Sequence, residues 1–97
     1  MDLLSLDSVH VAFDPPLWRE PKRKKRSVFL TLRDGTILTG VTVHHLPAGR
    51  RQVEIPERLT LSWPPERREN PFHLNEVQRD LLRMLVREAL RPGREAA

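Results

Sequence analysis

The stretch Ser27 to Val43, Ser-Val-Phe-Leu-Thr-Leu-Arg-Asp-Gly-Thr-Ile-Leu-Thr-Gly-Val-Thr-Val, constrains this chain more than any other. Val28, Leu30 and Leu32 alternate with Phe29 and Thr31, and Ile37, Val41 and Val43 alternate with Leu38 and Thr42. That period of two belongs to strands with one buried face. Between the runs lies Asp34-Gly35, a pair that tolerates the positive φ of tight turns, so the spacing predicts a β-hairpin. A hairpin alone is marginal in water and needs its apolar face covered. The cover the sequence offers is one strong helix, Glu76 to Leu90.

The flanking segments supply the remaining elements. Val9 to Phe13 alternates and predicts a first strand, stopped by Asp14-Pro15-Pro16 because proline cannot donate to a ladder. Leu17 to Arg26 reads as a long polar connection. Pro47-Ala48-Gly49 marks a turn, Gln52 to Ile55 a fourth strand ended by Pro56, and Leu59 to Trp63 a fifth short strand or an ordered loop. Pro64 to Pro71 is proline-rich and charged, an exposed connection. The helix has Asn75 as N-cap with Gln78 three residues on, a capping box, and Pro92-Gly93 to end it. Val77, Leu81, Leu82, Leu85, Val86, Ala89 and Leu90 are expected to form one apolar face lying on the sheet. The predicted fold is α+β: an antiparallel β-meander of four to five strands with one C-terminal helix packed on the sheet. It occupies residues 1–92 as a single domain, with a frayed tail at 93–97.

A chain of 97 residues buries only about 60 to 65% of the surface it exposes when unfolded. One small core fits, which favours a binding surface over a deep catalytic cleft and makes dimerisation a natural way to gain core. The absence of cysteine rules out disulfides and zinc–thiolate sites. No apolar run approaches the roughly 18 residues of a membrane span, and Met1-Asp2-Leu3-Leu4 lacks the basic start of a signal peptide. A cytoplasmic protein is expected. The net charge is +4, and its distribution is uneven: Trp18 to Arg26 holds Arg19, Lys22, Arg23, Lys24, Lys25 and Arg26 against Glu20 alone, six cations to one anion. Such a concentration is the usual footprint of a polyanion partner.

The order of these elements and several strings resemble the stage V sporulation protein G family of bacteria, the small septation regulators. The strings are Val28-Phe29-Leu30-Thr31-Leu32-Arg33-Asp34, then Ile37-Leu38 and Val41-Thr42-Val43, then Val53-Glu54-Ile55-Pro56-Glu57-Arg58. Leu74-Asn75 with Arg79, Leu82 and Val86 is similar to the start and length of the family's helix. The likeness spans about Ser27 to Ala89. It implies an α+β domain, a homodimer, with or without strands shared between its subunits, and nucleic-acid binding in a regulatory role. It also implies that Arg58, the basic residue after the proline, is part of the binding surface.

Read from the residues, the first candidates for phosphate contact are Lys22, Arg23, Lys24, Lys25 and Arg26, with Trp18 nearby to stack on a base. The bland alternative is a solvated loop with Trp18 tucked against the core. Arg79, Arg83, Arg87 and Arg91 recur every four residues and are expected as a stripe on the solvent side of the helix, able to lie along a phosphate backbone. Glu76, Asp80 and Glu88 each precede one of them by three residues and can pair with it instead. Arg50, Arg51, Arg67 and Arg68 are second-rank. His44 and His45, adjacent in a strand, point to opposite faces and suit one metal poorly, and neither His10 nor His73 completes a ligand spacing. No phosphate loop, nucleophile elbow or carboxylate pair is visible. No cofactor, metal or catalysis is expected. The competing reading is a non-catalytic protein-interaction module acting as a homodimer through the arginine stripe and Trp63-Pro64-Pro65.

Overall fold

The computed structural model describes residues 9–65 and 71–91. In chain order the elements are β1 (His10–Asp14), β2 (Lys25–Thr31), β3 (Ile37–His45), β4 (Arg51–Glu54), β5 (Arg58–Trp63), β6 (Phe72–His73) and α1 (Glu76–Ala89). Every pairing among the described residues is antiparallel, in the order β1-β2-β3-β5-β6 with β4 also on β3. The chain therefore forms the expected α+β meander with one C-terminal helix. Its sixth strand, β6, is two residues long, too short to show a period in sequence. The segment before Val9, the connection at 66–70 with Arg67 and Arg68, and the Pro92-Gly93 stop with its tail lie outside the described residues.

The hairpin of β2 and β3 turns where Asp34-Gly35 predicts. The Leu32 amide donates to Thr36 O at 2.8 Å and the Gly35 amide to Leu32 O at 3.0 Å. The Asp34 carboxylate accepts from the Thr36 amide at 2.9 Å, and Gly35 takes a φ of 92°, a conformation that costs glycine little. Val28, Leu30, Leu38, Val41 and Val43 are all 1% exposed or less. Leu38 and Val41 both face inward although they are three positions apart, so the alternation slips at Thr39-Gly40. Ile37, expected inward, is only half-buried, and Leu38 takes the place expected for it. Gly40 carries the slip with a φ of 124°, and a Cβ there would lie 3.4 Å from the Leu59 side chain. Opposite, β4 and β5 occupy the same edge of β3 in succession, and the chain leaves the ladder between them at Ile55 to Glu57. A bulge of this kind bends an edge and re-aims its side chains.

Helix α1 begins as its capping box dictates: Asn75 Oδ1 accepts from the Gln78 amide at 2.8 Å and Gln78 Oε1 accepts from the Asn75 amide at 3.0 Å. It lies across the inward face of the sheet, touching β1 and β4. Leu82, Val86 and Leu90 are buried, and Leu85 and Ala89 pack at the margin. Val77 and Leu81 are a correction to the expected face, for they are 67% and 38% exposed. The reason is angular: at 100° per residue Val77 and Val86 stand about 180° apart, too wide for one face to bury both.

Candidate nucleic-acid interface

Strand β2 starts inside the basic run, at Lys25, rather than after it. The register then decides what each cation does. Arg26 shares parity with Val28 and Leu30, so its side chain belongs to the inward face, where it pairs across to Val43 and on to Val53. It is 2% exposed. Its guanidinium donates to the carbonyls of Pro15 at 2.7 Å, Pro16 at 2.5 Å, Arg19 at 3.1 Å and Glu20 at 2.6 Å. Its Nε–H donates to His45 Nε2 at 3.1 Å. Arg26 is thus a clamp that folds residues 15–20 over the end of the core, and the expected phosphate contact is corrected to a structural one. Its fork of donors suits this task, since five N–H groups in one plane can meet several carbonyls at once.

The clamp displays what precedes it. Trp18 lies between two of the carbonyls Arg26 holds and is 73% exposed, so it is not tucked against the core. Lys22, Arg23, Lys24 and Lys25 are all exposed. Arg23 is partly engaged, donating to Glu20 Oε2 at 3.3 Å and to Lys25 O at 3.2 Å. A surface pair of that kind is worth about 0 to 1 kcal/mol and does not prevent a phosphate from competing.

Two hollows flank this loop. One is lined by Asp14 and Glu20 as well as by Lys22 to Lys25, so its charge is mixed. The other, an open groove of about 680 Å³, runs between the loop and the turn joining β3 to β4. Lys22, Arg23 and Lys24 line one wall, Arg50 and Arg51 the other, with His44 and His45 between; among the described residues no carboxylate lines it. The sheet builds this arrangement. Lys25, His44 and Gln52 lie side by side on β2, β3 and β4, and His45 lies beside Arg51 while its amide bonds Lys24 O at 2.8 Å. Adjacent strands sit about 4.8 Å apart, so these pairings bring the basic residues before β2 alongside the turn that leads into β4. The turn itself is closed by the Leu46 amide donating to Arg50 O at 2.7 Å.

His44 and His45 find different partners. The His44 ring is 3.7 Å from the Glu54 carboxylate. His45 accepts from Arg26 through Nε2, so its proton sits on Nδ1 and the ring is neutral. Burial first, and then the Arg26 and Arg51 charges, push the His45 pKa below its ordinary 6.5. Arg51 also donates to Leu90 O at 3.1 Å, tying the groove's far wall to the end of α1, where orphan carbonyls attract a cation.

The expected helix stripe does not assemble. Arg79 falls on the packed side, with its Nε shut from solvent and without a hydrogen-bond partner. Arg83 pairs with Asp80 at 3.3 Å and Arg91 with Glu88 at 3.1 Å, while Arg87 is exposed. Arg58 is exposed at the start of β5, opposite His73 of β6, and lies outside the groove lining. What the residue-by-residue reading undervalued is Arg50 and Arg51, which become first-rank only once β3 and β4 bring their turn beside the basic loop. Among the described residues no group of three or more metal-ligating side chains comes together. Comparison with protein-family models, with curated proteins and with solved structures finds no match to the chain.

Proposed function

We propose that this protein is a small, non-catalytic regulator of the cytoplasm that binds nucleic acid through its basic loop, holding the phosphate backbone in the groove between residues 22–24 and Arg50-Arg51. The observation that carries the reading is that five cationic side chains line one groove to which, among the described residues, no carboxylate contributes. A polyanion is the ligand class for such a groove, because each phosphate neutralised releases condensed counterions. Trp18, exposed on the clamped loop beside it, supplies a face on which an unpaired base can stack. The likeness to the septation regulators points the same way. Contacts of this type position a backbone and carry no base readout.

The test is fluorescence anisotropy with short duplex DNA, single-stranded DNA and RNA at two salt concentrations. Four or five engaged phosphates give a log–log salt slope of about −4 on duplex. The variant with Lys22, Arg23, Lys24 and Lys25 changed to Ala, and Arg26 kept, should lose at least roughly tenfold in affinity and flatten that slope by about 3. A wild type that binds none of the three at low salt would falsify the reading.

A further inference from the structure

The side of α1 that faces away from the sheet carries Val77, Leu81 and Met84, spaced i, i+4, i+7 and exposed by 67%, 38% and 66%. They form a stripe along the first nine residues of a 14-residue helix. A continuous apolar stripe on an exposed helix marks a contact surface rather than scattered surface residues. Beside the stripe, within a sector about 60° wide, lie Glu76, Asp80, Arg87 and Arg91, all exposed. The two acids occupy the first half of the helix, Arg87 its last turn, and Arg91 follows the C-cap Leu90.

We infer that a second copy of this chain docks on this face, α1 against α1 in antiparallel orientation, with Met84 next to the two-fold axis. In an antiparallel isologous pair the same flank of each helix meets its own copy. Antiparallel packing then sets Glu76 opposite Arg91 and Asp80 opposite Arg87, both pairs symmetric about a point between Arg83 and Met84. Parallel packing about a two-fold along the helices would set this flank against the opposite flank of the partner helix, which carries none of these four residues. The ion pairs each helix makes within itself, Asp80 with Arg83 and Glu88 with Arg91, are exposed and weak enough to be shared across the contact. A helix of this length is about 21 Å long, and its stripe covers less than the roughly 800 Å² per partner of a standard interface. The dimer is therefore concentration-dependent.

Sedimentation velocity of the whole chain over a concentration series tests this. The wild type should shift from monomer to dimer as concentration rises. Met84→Glu should stay monomeric throughout while melting like the wild type, because the side chain it replaces is mostly in solvent. Asp80→Arg and Arg87→Asp should each weaken the dimer roughly tenfold, and the double variant should recover to within about threefold of the wild type. Residues 80 and 87 are about 10.5 Å apart on one helix, so recovery can only come from contacts between copies. A wild type monomeric at every concentration, a Met84→Glu protein that dimerises undiminished, or a double variant no better than its parents would each overturn the proposal.

Discussion

Lys22 to Lys25 and Arg26 are neighbours in one run of five basic residues, yet they belong to different parts of the molecule. The first four stand in solvent, three of them lining an open groove, whereas Arg26 is 2% exposed and spends its guanidinium on four backbone carbonyls and an imidazole. One residue of strand parity makes the difference, because Lys25 opens β2 outward and Arg26 follows inward beside Val28 and Leu30. A run of like charges is thus two devices in sequence. The buried cation orders residues 15–20, and that order gives the exposed ones a fixed wall to work from.

Removing the buried member should show the largest effect. Arg26→Ala deletes five hydrogen bonds and leaves their acceptors at the end of the core. Bonds to a charged donor contribute about 1.5 to 3 kcal/mol each but add poorly within one network. A loss of about 3 kcal/mol in unfolding free energy is expected by urea titration, together with increased mobility of Trp18 in its fluorescence anisotropy. Arg26→Lys should recover less than half of this, since a single ammonium with three donors cannot span the carbonyls that a planar fork reaches. Full recovery by lysine would show that charge alone, and not the fork, holds the loop.

This division is only partly written in the sequence. The hairpin, its Asp34-Gly35 turn and the capping box at Asn75 are local features, set by residues within a few positions of one another, and they read directly. Arg26 was legible too: extending the alternation of Leu30 and Val28 back by one step places it inward. The polar character of the run hides that step, because a buried arginine without a carboxylate partner is rare. The slip at Gly40 was not legible, as it depends on β4 and β5 sharing an edge with a break between them. Arg50 and Arg51 join the groove only through the pairing of β3 with β4, a contact that no spacing within either segment announces. The helix misled in a third way. Val77 and Leu81 are apolar, but the angle between them and Val86 puts them on the other side.

The second effect in size concerns how the clamp is sensed by pH. His45 sits between Arg26 and Arg51 and accepts from the former. Burial and those two charges hold its pKa below 6.5 in the folded protein, so the unfolded chain takes up its proton first. Between the ordinary value and the lower folded one the unfolded state carries more protons, and unfolding free energy must rise with pH there. Stability should therefore fall as pH drops below 6.5 and level off beneath the folded value. Protonation turns Nε2 into a donor facing Arg26, which loosens the clamp at its inner end. His45→Gln keeps an acceptor for Arg26 but cannot titrate. Its urea midpoint plotted against pH should lack the share of the slope that His45 contributes, and an unchanged slope would place the proton linkage elsewhere.

The smallest effect on stability sharpens the comparison most. Lys24→Ala and Lys25→Ala remove exposed side chains with no side-chain hydrogen bond or ion pair among those the structure describes, so unfolding free energy should change by no more than about 0.5 kcal/mol. If the exposed half of the run works on phosphates, each change should instead weaken nucleic-acid binding at fixed salt and reduce the log–log salt slope by about 0.9 on duplex DNA. Arg26 should give the reverse pattern, with a large loss of stability and, wherever the variant remains folded, a salt slope close to the wild type's. That crossing of effects between adjacent residues separates a groove built for an anion from a surface that is merely basic. A lysine variant that leaves both stability and slope untouched would assign Lys24 and Lys25 to solvation, and the contacts would then fall to Lys22, Arg23 and Arg50.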